Sequence, residues 1–228
     1  VDEVKEDVKE LEEQELLAVF EMRKDTYVWH MDSIREAQQT LVRALEDYEK
    51  KYPYRYGMKK AEIQTMYFQK IKPNVFDRIV EFFVERGCIR RAEEFLCTPE
   101  FEVKKDGTYQ KVAENFLNVF EKAGYDFVRY SEIDLKGVSR DMADDILNIL
   151  LTEGKVVRVT EEMYTLAEYM EQAKEKIKAH LADDPLITIA QVRDMFGTSR
   201  KSAKPILEYM DALKITKKMG AESERVAY

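Results

Sequence analysis

The chain has 228 residues, of which 45% are hydrophobic and 36% charged, with 8 Gly, 5 Pro and a net charge of −8. This composition describes a globular chain rather than a disordered one, and the acidity argues against uniform coating of nucleic acid. No apolar run approaches the roughly 20 residues that a bilayer crossing needs, and the chain opens with no charged-then-apolar leader, so a cytoplasmic protein without a membrane partner is expected.

In chain order, a helix-then-strand pattern first appears, weakly, over 4–30. It lacks the two helices that precede each later copy, so 1–30 is expected to be a partial module cut inside a domain. A long helix is predicted over 33–51. The next full copy follows, with Phe76, Ile79, Val80 and Phe83 at i, i+3, i+4 and i+7 on one apolar face. Gly87 then suits the left-handed residue that closes a helix, and two short β-rich runs surround a polar turn. Equal counting from a turn at 91–94 places Cys88 opposite Cys97 on adjacent strands, within bridging reach. Two reduced thiols are nevertheless the expected state in a cytosolic sheet.

A second long helix is predicted over 106–123 and a shorter one over 131–136. The second full copy runs from Asp144 through Gly154 into a strand at Val156-Val157-Arg158-Val159, a turn at Thr160-Glu161-Glu162 and a strand at Met163-Tyr164-Thr165. A linking helix, a short helix over 189–196 and a third copy over 204–218 complete the pattern. Helix, short helix, helix and hairpin together make a winged helix. The fold class is therefore α+β, predominantly helical: an elongated tandem array with modules at 1–30, 31–101, 102–165 and 166–228. Linking helices rich in Glu, Lys and Gln and continuous with the preceding wing imply semi-rigid joints. Pro205 is harmless if Ser202 caps its helix, and a kink is expected if Ser199 does.

The motifs of catalysis are missing. There is no Gly-rich phosphate loop ending in Gly-Lys-Ser/Thr, no Gly-x-Ser-x-Gly, and no His beside a nucleophile. Acidic pairs such as Asp144-Asp145 read as solvated helix faces. His30, His180, Cys88 and Cys97 are spaced unlike any zinc motif. An enzyme is not expected, nor a metal or other cofactor. Charge is more informative. Residues 166–228 carry 11 Lys plus Arg against 10 Asp plus Glu, whereas the rest carries 26 against 35. Within 197–220, Arg200, Lys201, Lys204, Lys214, Lys217 and Lys218 face only Glu208 and Asp211, a net +4. These charges fall at the start of a third helix and on the first strand of a wing, the usual nucleic-acid side of a winged helix. A helix N-terminus beside Arg200 and Lys201 would reinforce a phosphate site.

The run Phe196-Gly197-Thr198-Ser199-Arg200-Lys201-Ser202-Ala203-Lys204-Pro205-Ile206-Leu207-Glu208-Tyr209-Met210-Asp211, followed by Thr216-Lys217-Lys218-Met219-Gly220, resembles the terminal module of the bacterial selenocysteine-specific elongation factor family, SelB. The Ile187 to Asp194 approach and the stretch Lys51 to Met58 are similar to the same family. The resemblance implies an mRNA-tethering region that binds a message hairpin (SECIS element) for selenocysteine incorporation at UGA. Ribosome and selenocysteyl-tRNA would be partners of the full-length factor, whose GTPase and tRNA-binding domains lie outside this sequence. The implied RNA contacts are Thr198, Ser199, Arg200, Lys201, Lys204, Lys217, Lys218 and Arg225. Lys217 and Lys218 stand where the family usually has Arg, Lys204 occupies a position expected to be apolar, and Glu222 and Glu224 place negative charge on the wing. Two other readings fit an array of winged helices: a DNA-binding regulator, and a protein scaffold.

Overall fold

A computed structural model of the chain describes residues 2–22, 25–219 and 224–228. Gly220 and Glu222 lie outside the described residues. The chain divides into two compact units, Val1–Lys104 and Lys105–Tyr228.

The first unit opens with α1 (Asp2–Glu13) and a hairpin of β1 (Leu17–Glu21) and β2 (Thr26–His30), paired from Leu17 against His30 to Glu21 against Thr26. The chain then passes directly into α2 (Met31–Lys51), β3 (Met58–Lys59), α3 (Lys60–Tyr67), α4 (Pro73–Glu85), β4 (Arg90–Ala92) and β5 (Phe95–Cys97), with sheet order β3-β5-β4. The predicted apolar face of α4 is the buried one: Phe76, Ile79 and Phe83 are 0% exposed and pack with Leu41 and Leu45 of α2, Ile63 of α3 and Leu96 of β5. Burial of each such side chain contributes about 1.5–3 kcal/mol. Ala18 and Phe20 of the first hairpin join the same core.

The second unit contains α5 (Gly107–Ala123), β6 (Val128–Arg129), α6 (Arg140–Thr152), β7 (Val156–Arg158), β8 (Met163–Leu166), α7 (Ala167–Asp183), α8 (Ile189–Phe196), α9 (Arg200–Ala212), β9 (Thr216–Lys218) and β10 (Arg225–Ala227). Its sheets are β6-β8-β7 and the hairpin β9-β10, to which Ile187 adds a bridge against Arg225. The architecture is that of winged helices: mostly helical, with a small antiparallel sheet closing each module.

The repeat is visible in how its helices end. After α1, α4, α6 and α9 the chain turns through a left-handed residue, Glu15 (φ 54°), Gly87 (φ 67°), Gly154 (φ 67°) and Lys214 (φ 55°). In each case the next amide reaches back five residues: Leu16 to Leu11, Cys88 to Phe83, Lys155 to Leu150 and Ile215 to Met210, at 2.9–3.0 Å. This closes the last helical carbonyls with the same double-bonded motif four times. Two of the four positions use a residue other than glycine, at a cost of roughly 1 kcal/mol each.

Three expectations differ from the structure. The β4-β5 hairpin pairs Arg90 with Cys97 and turns at Glu93 (φ 54°), two residues later in register than counting suggests, so Cys88 and Cys97 do not face each other and both are free thiols. Over 131–136 there is only a single 3-10 turn, Tyr130–Glu132, because Lys136 (φ 55°) and Gly137 (φ 80°) both adopt left-handed backbone that no helix continues through. In addition, Met58–Lys59 and Val128–Arg129 form a third strand in their sheets where a two-stranded wing is predicted.

Candidate nucleic-acid interface

The basic cluster is built on a helix-turn-helix. Thr188 caps α8 through a reciprocal box with Gln191, its hydroxyl accepting from the Gln191 amide. α8 ends at Gly197 in left-handed conformation (φ 59°), and Thr198 and Ser199 then lead straight into α9. Ser199 is the N-cap, its carbonyl accepting from the Ala203 amide at 2.9 Å, and α9 runs unbroken to Ala212 with Pro205 inside it. Pro205 has no N–H, so the Lys201 carbonyl receives no helical hydrogen bond from it.

α9 buries Ser202, Ala203, Pro205, Ile206, Leu207 and Met210 and turns Arg200, Lys201, Lys204 and Glu208 outward. The exposed stripe follows from helical period: the apolar positions fix one face and leave the basic ones on the other. Lys204 shares its charge with Glu208, one turn on, at 3.4 Å. Arg200 and Lys201 have no ion pair among the described residues. Arg200 also lines a shallow pocket of about 230 Å³ with Thr188, Ile189, Ala190 and Arg193.

Thr198 and Ser199 are held from within the protein. Thr198 Oγ1 lies 2.9 Å from the Tyr125 carbonyl and 2.5 Å from Asp126 Oδ1, and the Ser199 amide donates to that same oxygen at 3.3 Å. The Ser199 side chain makes no capping bond, and Asp126 satisfies only the amide of the N-cap residue itself, from outside the helix. Beside this contact, Tyr125 packs its ring 4.5 Å from Phe196 and 5.3 Å from Tyr169. Phe127, Val159 and Met163 belong to the same apolar cluster as Val192, Ile206 and Met210. Nothing near position 198 in sequence signals these partners, which lie more than 70 residues earlier.

On the wing, Lys217 and Lys218 are both exposed. Successive strand residues point to opposite faces. Lys218, paired with Arg225, therefore lies on one face of the hairpin and Lys217, paired with Val226, on the other. Arg225 departs from the expected role. It is 4% exposed, its Nε donates to Asp211 Oδ2 at 3.0 Å, and its backbone exchanges hydrogen bonds with Ile187 at 2.9 Å. Asp211 also accepts from the Thr216 hydroxyl at 2.6 Å. A guanidinium so enclosed ties wing to helix, where an exposed contact residue is expected.

Two stretches, residues 42–96 and 179–222, each match a model for the winged helix of elongation factor SelB. Both stretches are similar to winged helices of elongation factor SelB. The second SelB stretch spans the end of α7, α8, the capped turn, α9 and β9, so the family match and the basic stripe coincide. Among curated proteins, the selenocysteine-specific elongation factor of Desulfomicrobium baculatum is 23% identical over 177 residues, covering 77% of this chain and 28% of the relative. That of Haemophilus influenzae is 20% identical over 205 residues, covering 87% and 32%. The chain thus spans about a third or less of these relatives. The crystal structure of bacterial selenocysteine-specific elongation factor EF-Sec matches 92% of this chain and 32% of its own at 17% identity and a TM-score of 0.52, a likeness of fold. Among the described residues no group of His, Cys, Asp and Glu is arranged to hold a metal ion, and no helix is long and apolar enough to cross a membrane.

Proposed function

We propose that this chain is the mRNA-tethering region of a selenocysteine-specific elongation factor, and that its last module, 166–228, grips a message hairpin of the SECIS type. The observation that carries the reading is the pair Arg200 and Lys201, exposed and without ion pairs among the described residues at the first turn of α9, in a stretch matched by the SelB winged helix. Two cations side by side at the first turn suit phosphate and offset the Asp126 carboxylate that already takes the Ser199 amide. The narrow major groove of A-form RNA excludes a helix, so a specific reader meets the backbone and an unpaired loop or bulge. A helix start and a wing serve that geometry, with Lys204 and Lys218 at its margins. The earlier modules, 1–30, 31–101 and 102–165, act as spacer and contact surface. GTP hydrolysis and contacts with selenocysteyl-tRNA and ribosome belong to the remainder of a longer factor in the cytoplasm. The region itself binds and does not catalyse.

Fluorescence anisotropy of the full chain with a labelled hairpin RNA, against a duplex DNA of matched sequence, tests this. The reading expects saturable binding to the hairpin, preferred over the DNA. Equal or stronger affinity for the duplex would favour a DNA regulator, and no binding to either a protein scaffold.

A further inference from the structure

We infer that the third module holds an RNA site of its own, a cleft on α6 and its wing that takes one unpaired guanine nucleotide. The inference goes beyond the hairpin site on α9 and rests on the reading of the chain as an RNA-binding array.

α6 (Arg140–Thr152) and α9 (Arg200–Ala212) have equal lengths and stand 60 residues apart, as do β7 and the basic strand β9. The same offset relates Ser139 to Ser199, Arg140 to Arg200 and Arg158 to Lys218. The third module thus keeps a cation at the helix start and another on the wing, on the face a winged helix turns toward nucleic acid. It differs between them: Asp141 replaces Lys201, Asp144 replaces Lys204 and Asn148 replaces Glu208. A backbone clamp has become a mixed site.

The geometry is that of a receptor. Tyr130, Arg140, Asp144, Asn148, Arg158 and Tyr164 line a cleft of about 320 Å³, a size suited to a small ligand. The Arg140 guanidinium lies 4.7 Å from the centre of the Tyr130 ring, and that of Arg158 lies 5.4 Å from the centre of Tyr164. The two rings meet edge-on at 6.2 Å. Each arginine is therefore oriented by an aromatic face, while neither forms a hydrogen bond or ion pair among the described residues, which leaves both donor forks open. The Tyr130 hydroxyl is shielded from solvent and makes no well-formed hydrogen bond, with the Asp144 carboxylate beside it.

Arg140, Asp144 and Asn148 follow one another at successive turns of α6, so they face one way. Two guanidiniums match a phosphate and offer planes on which a base stacks. The carboxylate selects the base. An ionised Asp only accepts hydrogen bonds, and among the four bases guanine alone presents two donors, N1–H and the N2 amino group, side by side on its pairing edge. Asn148 adds a side-chain amide one turn on.

The test uses the full chain with the single-stranded pentanucleotides UUGUU and UUAUU, following arginine Nε–H resonances by NMR and affinity by competition. UUGUU is expected to shift the Arg140 and Arg158 signals and to bind more tightly than UUAUU. The double variant Arg140→Gln, Arg158→Gln is expected to weaken UUGUU about tenfold, and Asp144→Asn to abolish the preference for guanine. Both arginines are exposed, so these variants should fold, and circular dichroism checks that. A pentanucleotide that shifts neither signal, an unchanged affinity in the double variant, or a guanine preference that survives Asp144→Asn overturns the inference. Hairpin binding by the unaltered chain, measured in parallel, reports separately on the α9 reading.

Discussion

Asp126 accepts a hydrogen bond from the backbone amide of Ser199 at 3.3 Å, so the N-cap residue of the helix beginning at Arg200 is held by a residue 73 positions earlier in the chain. The carboxylate also engages the Thr198 hydroxyl and lies at the positive end of the α9 dipole. Removing it strips both bonds and leaves the Ser199 amide without its acceptor. Asp126→Ala is expected to destabilise the Lys105–Tyr228 unit by about 1–2 kcal/mol in urea unfolding. A variant as stable as the parent would mean that the latch contributes nothing.

Arg225 makes the opposite kind of prediction to the exposed cations. Its side chain is 5% exposed and that of Asp211 26%, so truncation leaves a half-enclosed carboxylate without its partner. Arg225→Ala is expected to cost about 3 kcal/mol of stability. The salt dependence of RNA binding by the remaining folded protein should not change. A slope lowered by roughly 0.7–0.9 would return Arg225 to the RNA face.

Gly57 sits at φ +140°, and a Cβ there would lie 2.4 Å from the Leu96 carbonyl oxygen, a backbone atom that cannot swing aside. Gly57→Ala is expected to destabilise the Val1–Lys104 unit by about 3 kcal/mol or more through strain and clash together. Thermal unfolding reads it directly, and a loss below about 1 kcal/mol would show that the β3-β5 contact yields easily.

The sequence carried the repeat well because each copy states its helix in the same four apolar positions, as in Phe76, Ile79, Val80 and Phe83, all buried as the periodicity requires. It carried the exposed basic residues of α9 for the same reason. Elsewhere the physics is not local. Strands of two residues, Met58–Lys59 and Val128–Arg129, are too short to show alternation. Hairpin register depends on where the left-handed residue falls, and Glu93 takes that role without being glycine. The roles of Thr198 and Ser199 depend on Asp126, distant in the chain. Arg225 has the composition of a surface residue and the position of a buried one, and only its pairing with Asp211 and Ile187 reveals the difference.

The carboxyl of Glu153 gives a pH dependence. Burial pushes it up, but hydrogen bonds and charge from Lys105 and Lys155, at 2.5 and 2.8 Å, outweigh that and hold it below the ordinary value of 4.5. A carboxyl depressed in the folded state contributes stability that is fully present above its unfolded pKa and is lost as pH falls through the folded one. The Lys105–Tyr228 unit is therefore expected to weaken as pH drops below about 4.5. Glu153→Gln should reduce that slope and lower stability at neutral pH. Identical acid titrations for the two proteins would contradict it.

The RNA grip at the start of α9 is decided by the salt dependence of hairpin binding in Arg200→Ala, Lys201→Ala, compared with Lys174→Ala, Lys176→Ala. Lys174 pairs with Glu171 and Lys176 lies over the Phe196 ring, so both are cations of the same module with internal partners. The first pair of substitutions is expected to weaken binding far more than the second. It should also lower the log–log salt slope by roughly 0.7–0.9 for each phosphate that the protein no longer neutralises. An unchanged slope in a folded Arg200→Ala, Lys201→Ala protein would contradict the assignment of the RNA grip to the start of α9.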